Sequence, residues 1–350
     1  MMLSVVVPIL NEIDQLSQLF DMLSLQAGVS FELILVDGGS TDGSFERAKE
    51  LAAGASFPCR VASTQKGRGR QLNEGTRLSS GESLLFLHAD SQFVDNMALA
   101  KALNCFQAAL KSAGHNRIAG HFSLRFQRET SKGHFGFYYL ESKARLDRPG
   151  CIHGDQGYLM QRRFFDQIGP FDESLGFLED NRLADSVRNA GSWVLLPVEL
   201  LTSSRRFVQE GFRQRQMLNA LIMNLEALGL NDWLRGLPDI YRLQGHTQEL
   251  HLIPFFHDIN ERLSLLSRKE QRQFWLQTGH YSVANAWQLA FLVDVKGAFH
   301  KNLRPGEGRR TLLSTFDRIL HPLIDHFLGY RFAGMVIRFW FRGILKKLSV

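Results

Sequence analysis

Short apolar runs that stop abruptly at acidic and small residues constrain this chain more than any other feature. LILVDGGSTDGS begins at Leu33, and LLFLHADS runs from Leu84 to Ser91. In α/β proteins, strands ending this way present carboxylates at the carboxyl edge of a parallel sheet, where ligands bind. An aspartate at such an edge can hold a divalent metal together with its bound phosphates. The surrounding pattern agrees. SVVVPI predicts a first strand, followed by an amphipathic helix from about Asp14 to Gln26. FELILVD predicts a second strand, and STDGSFERAKELAA opens a helix capped by Ser40, Thr41 or Asp42. CRVAS reads as a strand, GRQLNEGTRLSS as a helix, LLFLHAD as a strand, and Asp95 to Ser112 as a helix. Such alternation implies βαβ units and a mostly parallel sheet flanked by helices.

Beyond His115, GHFSLRF alternates like a strand, and GDQGYLMQRRFFDQIG passes from a glycine-flanked turn into a helix. FLEDNRLADSVRNAG predicts a helix ending at Gly191, and WVLLPVELLTS an extended segment. Helical spacing returns from Gln209 to Leu228. After Gly229 there is no strand pattern, and the remainder reads as helices broken at Pro254, Gly279, Pro305-Gly306 and Pro322. A boundary near Arg242 therefore separates an α/β domain, residues 1–242, from an all-α extension, residues 243–350.

Composition narrows the function classes. The 350 residues are 44% hydrophobic, enough for one large core or two modest ones. Three cysteines, Cys59, Cys105 and Cys151, lie far apart with no C-x-x-C, which argues against a disulfide framework or zinc site and fits a reducing cytoplasm. MMLSVVVPILNE lacks the basic start and cleavage site of a signal peptide. No apolar run reaches the roughly 18 residues of a membrane span. The net charge of +6 is concentrated after His300, where ten basic residues face three acidic ones. Charge thus argues for an anionic partner only at the tail, and not for nucleic acid.

The motifs SVVVPILNE, LILVDGGSTDGS, KGRGRQLNEG, HADS and FLED occur in the order found in family-2 glycosyltransferases, which this chain resembles over residues 2–242. The resemblance implies a GT-A fold, a Rossmann-like α/β domain that binds a nucleotide-sugar donor. GDQG and TSSRRF look more like a bacterial subgroup associated with radical-SAM and arsenosugar biosynthesis genes. By resemblance, Pro8, Asn11 and Glu12 wrap the base and ribose, Asp37 accepts from uracil, and Lys66, Arg70 and Asn73 hold the diphosphate. Arg68 belongs to the same basic helix start, where backbone N–H groups and guanidinium groups suit phosphate. Ala89 lines the nucleotide within HADS.

HADS departs from the usual D-x-D of relatives, with His88 in the first position and Asp90 in the last. The resemblance makes Asp90 the chief ligand of Mg²⁺ or Mn²⁺. An imidazole at His88 favours Mn²⁺ as a second ligand, or else contacts the ribose. By the same resemblance, Asp180 is expected to be the general base that removes the acceptor proton, and Glu179 a neighbour that orients it or the acceptor. Gly154, Asp155 and Gln156 form the acceptor side, and Arg205 or Arg206 completes a phosphate clamp. Each residue has a plainer reading as a helix cap, basic loop or acidic helix start. Two other functions stay open: a non-catalytic nucleotide-sugar-binding or scaffold protein with a degraded metal motif, and a nucleotidyltransferase. The acceptor is a small molecule or a lipid-linked hydroxyl.

His246, His251, His257, His321 and His326 lack the spacing of a metal site. The final segment FLGYRFAGMVIRFWFRGILKKL places Arg331, Arg338, Arg342 and Lys346 on one helical face. Ala333, Ile337, Trp340, Ile344 and Leu348 lie opposite, with Phe332 and Phe339 inside the basic sector. The pattern suits either an interfacial helix on an anionic membrane or a helix packed on its own domain.

Overall fold

The computed structural model describes residues 2–128, 134–243 and 249–348; His246 lies outside them. Near-continuous runs of Val, Leu and Ile make strands buried on both faces, the signature of a parallel sheet covered by helices. The strands are β1 (Leu3–Ile9), β2 (Phe31–Asp37), β3 (Cys59–Ser63), β4 (Ser83–Phe86), β5 (Ile118–Gln127), β6 (Tyr158–Gln161) and β7 (Ser192–Ser203). They form one seven-stranded sheet in the order β3-β2-β1-β4-β6-β5-β7. β1, β2, β3 and β4 pair in parallel, as do β5 and β7. β6 runs antiparallel to both of its neighbours. The class expected from the sequence, a mostly parallel α/β sheet followed by an all-α region, is the one observed.

The helices are α1 (Ile13–Ser24), α2 (Ser44–Ala53), α3 (Arg68–Leu78), α4 (Ala98–Ala113), α5 (Phe135–Lys143), α6 (Arg162–Ile168) and α7 (Glu179–Ala190). The apolar face of α1 (Leu16, Leu19, Phe20, Leu23) and that of α4 (Leu99, Leu103, Phe106) share one core with Val5, Val7, Leu33 and Leu35. Leu72 of α3 and Leu183 and Val187 of α7 pack with Val6, Ile34, Phe86 and Met160 in a second core. These two layers fix where α3 and α7 begin, and both helices begin at the candidate site.

The chain divides into two compact units, Met1–Lys132 with Leu140–Ser203, and Gly133–Tyr139 with Ser204–Val350. The sheet lies wholly in the first. The boundary expected near Arg242 falls inside the second unit, within α10 (Asn231–Leu243). That unit begins with α8 (Arg205–Glu210) and α9 (Phe212–Ala227), which Gly211 separates at φ 84°. It continues with α11 (Ile253–Leu265), α12 (Arg268–Ala284), α13 (Trp287–His300) and α14 (Thr311–Thr315). α15 (His321–Ile324) and α16 (Phe327–Leu348) complete it.

Two expected helix breaks are absent. Gly279 lies inside α12, where an added Cβ would stand 1.9 Å from the Tyr330 carbonyl oxygen and 2.6 Å from Gly334 N. Its missing side chain serves the close crossing of α12 and α16, not a turn. Pro322 sits in the first turn of α15, directly after a π turn over Phe316–Leu320, so the chain stays helical from Thr311 to Ile324. The wider π turn accommodates the hydrogen bond that a proline cannot make.

Candidate active site

The carboxyl ends of β1 and β2 are tied into one edge. Ile9 pairs with Asp37 in parallel register. Asp37 Oδ2 accepts the N–H of Gly39 at 2.8 Å and of Ser40 at 3.0 Å, and Oδ1 accepts the Ser40 hydroxyl. Asn11, at φ 56°, donates its N–H to Ser40 Oγ at 2.9 Å and accepts from Thr41 N–H through Oδ1 at 2.8 Å. The Glu12 N–H donates to Ser44 Oγ at 2.8 Å. Beneath this edge the buried Gln71 donates its Nε2 to the carbonyls of Ile9 and Val36, both at 2.8 Å. Pro8 pairs with Val36 just inside. Asn11, Glu12 and Asp37 are therefore brought together, with the side chains of Asn11 and Asp37 hydrogen-bonded within their own loop.

At the start of α3 the residue facing inward is Arg68, and not Lys66 or Arg70. Residues two apart on a helix point about 200° apart. Arg68 shares a stripe with the buried Leu72, whereas Lys66 and Arg70 are exposed. Arg70 instead donates to Gln65 Oε1 at 2.8 Å and approaches Glu173 at 3.4 Å. Asn73 bonds to the segment between α6 and α7. Its amide donates to the Phe171 carbonyl and Glu173, and accepts from the Phe171 N–H. It fastens the loop that precedes α7.

Arg68 reaches into a cleft floored by Phe86, Leu87 and Tyr158 and ringed by His88, Gly154, Phe171 and Asp180. Its Nε lies 3.1 Å from Glu179 Oε1, and its guanidinium contacts His88 Nε2. Gly154 lies against both charges. A Cβ there would come within 2.6 Å of Arg68 Nη2 and 2.8 Å of Asp180 Oδ2, so only glycine allows the approach. The Gly154 N–H donates to Asp180 Oδ2 at 2.8 Å, and the Asn181 N–H to Oδ1 at 2.9 Å. Tyr158 donates its hydroxyl to the Asp180 carbonyl at 3.3 Å. His153 Nδ1 meets Asn181 Oδ1 at 2.6 Å.

The two carboxylates at the start of α7 titrate in opposite directions. Burial pushes Glu179 up, Asp180 adds to the push, and Arg68 opposes it; the net shift is upward. Burial also pushes Asp180 up, but Arg68, His153 and the Gly154 N–H outweigh it and hold the carboxyl below its ordinary value. Divergent environments for paired carboxylates are how active sites assign acid and base roles. Glu179 is 2% exposed, and its Oε2 has no hydrogen-bond partner. Leu178, just before the pair, adopts a left-handed backbone at φ 70°, a costly conformation for a bulky residue.

β4 ends at Phe86, earlier than expected, and Leu87 to Asp90 leave the sheet as a turn in which the Ser91 N–H donates to the His88 carbonyl at 3.2 Å. His88 Nε2 faces the Arg68 guanidinium, a group that can only donate. Among the described residues no three His, Cys, Asp or Glu side chains converge on one ion position. Asp155 is raised by burial first, with Asp180 and Asp90 adding to the push, and its Oδ1 is buried without a hydrogen-bond partner. Asp90 and Asp155 thus fit a cation that draws its remaining ligands from phosphate and water, and no protein-only cage is present. Ala89 is buried beside them.

Gln156, expected on the acceptor side, lies beneath the 154–156 turn. It is fully buried, with Oε1 2.9 Å from His121 Nδ1 and Nε2 donating to the Cys151 carbonyl at 2.8 Å, so it holds the 154–156 turn from below. Burial lowers His121 to about 4, leaving a neutral imidazole under the turn. Arg205 and Arg206 open α8 and belong to the second unit. Gln71, His153, Tyr158 and Asn181 are site or support residues that the sequence motifs did not mark.

Known proteins resemble parts of this chain. A PGL/p-HBAD biosynthesis glycosyltransferase of Mycobacterium bovis is 35% identical over 101 residues, covering 29% of this chain and 40% of that protein. The chain therefore spans well under half the length of these mycobacterial relatives. A dolichol-phosphate mannosyltransferase of Pyrococcus furiosus is 32% identical over 96 residues, 26% of each chain. Among solved structures, the Pyrobaculum calidifontis mannosyltransferase PcManGT in complex with GDP-Man and Mn²⁺ is 16% identical, covering 97% of this chain and 87% of that one at a TM-score of 0.48. S. aureus TarS 1-349 in complex with UDP-GlcNAc is 17% identical, covering 97% and 92% at a TM-score of 0.49. Both structural likenesses are too remote to place a ligand here. Residues 4–169, which carry β1 to β6 and stop short of Glu179 and Asp180, match the family described as Glycosyl transferase family 2.

Proposed function

We propose that the first unit transfers a sugar from a nucleotide-diphosphate donor, a UDP-sugar, to an acceptor hydroxyl with inversion. The observation that carries this reading is the Arg68–Glu179–Asp180 arrangement over Gly154, beside the turn that bears His88 and Asp90. Asp180 is held ionised, and its two oxygens are oriented by the Gly154 and Asn181 N–H groups. It accepts the proton of the acceptor hydroxyl as that oxygen bonds to the anomeric carbon and the bond to the diphosphate breaks. A single displacement inverts the anomeric centre. Arg68 faces the departing diphosphate, and Glu179 fixes the guanidinium. Asp90, with Asp155, would hold Mg²⁺ or Mn²⁺ together with donor phosphates. When bound, the metal neutralises charge on the leaving group.

Asp37 and Asn11 form the base and ribose side, and Arg205 and Arg206 are assigned to a phosphate clamp. The acceptor is a small molecule, as the subgroup resemblance suggests, or a lipid-linked hydroxyl, as the dolichol-phosphate in the Pyrococcus relative's name supports. A cytoplasmic location completes the reading. The test is nucleoside diphosphate release from a panel of nucleotide sugars with Mn²⁺, beside donor-induced thermal stabilisation. Asp180→Asn should keep the stabilisation and lose release by about 10²–10⁴-fold. Full turnover by Asp180→Asn would overturn the assigned base. Binding without any release by the unaltered chain would favour the non-catalytic binder.

A further inference from the structure

The terminal helix α16 has three faces rather than two. Tyr330, Ala333, Gly334, Ile337, Phe341 and Ile344 turn toward its own unit. Gly334 meets Gly279 of α12, and Phe341, 4% exposed, packs on Phe256 and Trp275. Most of the apolar face read from the sequence is therefore spent on internal packing. A second apolar ridge remains outside. Leu328, Phe332, Met335 and Phe339 follow i, i+4, i+7, i+11 spacing, which aligns them along one side of a helix. All four are exposed, Phe332 by 66% and Phe339 by 81%. Leu323 and Phe327, on the chain just before, are exposed as well. Arg331, Arg338 and Arg342 repeat at i, i+7, i+11 and form a strip directly beside this ridge.

We infer that this ridge and strip dock the protein on an anionic lipid bilayer. A helix packed on its own unit needs only one apolar face, and the second gains nothing from that packing. Two phenylalanines held outward on a rigid helix expose large apolar area to water, and such a ridge marks an interaction surface. The flanking charge decides the occupant. Guanidinium groups beside an apolar ridge match the headgroup and acyl boundary of an anionic bilayer, where rings enter the hydrocarbon and cations stay at the phosphates. The excess of basic residues after His300 extends the same sign over the tail and disfavours a second copy of this face, which would set like charges together. Among the described residues no helix is long and apolar enough to cross a membrane, so the helix lies on the surface and does not span it.

The test is flotation of the full chain with vesicles of phosphatidylcholine alone or with phosphatidylglycerol, at low and high salt. The full chain should float with anionic vesicles, weakly with neutral ones, and less at high salt. Phe332→Ser with Phe339→Ser should weaken binding at least about tenfold. Arg331→Gln with Arg338→Gln and Arg342→Gln should abolish the preference for anionic lipid. Phe332, Phe339, Arg331 and Arg342 are exposed and Arg338 is half-buried, none of them in the catalytic cleft, so unfolding midpoints and nucleoside diphosphate release should stay at the unaltered level. Equal flotation by all forms, or none by the unaltered chain, overturns the proposal. A dimer that dissociates on the phenylalanine substitutions, without flotation, overturns it in favour of self-association.

Discussion

Two clusters of polar side chains stand at the ends of buried segments in the first unit, and Asp37 and Asn11 in one are bonded differently from the charged groups in the other. At the β1–β2 edge, Asp37 and Asn11 are paired with the backbone and hydroxyls of their own loop. At the α3–α7 cleft, Arg68, Asp155, Glu179 and Asp180 are crowded, and buried oxygens of Asp155 and Glu179 lack partners. A satisfied polar group stabilises the fold, whereas an unsatisfied buried one costs the desolvation it has not recovered. At the first edge, Asp37 and Asn11 tie β1 and β2 into their loop. The second is under electrostatic stress that a charged ligand would relieve.

The largest test of this contrast is Arg68. Arg68→Met removes the cation shared by Glu179 and Asp180 and should cost about 3–5 kcal/mol in urea unfolding, as expected for a broken buried pair. Arg70→Ala should cost no more than about 1 kcal/mol, because its partners are exposed. Equal costs would dissolve the distinction between the two arginines. Next comes pH. The unfolded His121 imidazole gains a proton near pH 6.5, while the folded one resists until about 4. Stability should therefore fall as pH drops through that window, by up to about 3 kcal/mol, and His121→Leu should flatten the slope. Because His121 supports Gln156, amide exchange in residues 154–157 should rise before that at Gly39 and Ser40. The smallest effects have opposite signs. Asp37→Ala should destabilise by about 1–3 kcal/mol, and Asp155→Asn should stabilise by up to about 1 kcal/mol while transfer slows. Losses at both positions would show that the cleft is as well satisfied as the edge.

The sequence carries the scaffold more plainly than the cleft. β2 ends where its apolar run ends, because a parallel strand buried on both faces reads continuously. β6 is hidden, since YLMQ is only four residues and passes straight into α6 without a turn residue. Among the basic residues at α3, composition treats Arg68 and Arg70 alike, and only the phase of Leu72 on the same helix separates them. Gln156 reads as polar and hence ligand-facing, yet His121, distant in sequence, supplies the partner that lets it be buried. Phe332 and Phe339 blur a two-faced pattern because α16 has a third face. In each case the missing knowledge is a long-range neighbour.

The reversed strand β6 makes the cleft sensitive to chain length. Phe86 pairs with Tyr158 in antiparallel register, so the chain entering β6 meets the chain leaving β4 at the same sheet edge. Four residue pairs of that ladder set how far Gly154 stands from His88 and Asp180. Deleting one residue between Cys151 and Gly157 would displace the turn by about 3.3 Å or flip the alternation of β6. The 151–157 stretch thus serves as the ruler of the site, and a change in its length should be felt first at the approach of Gly154 to Asp180.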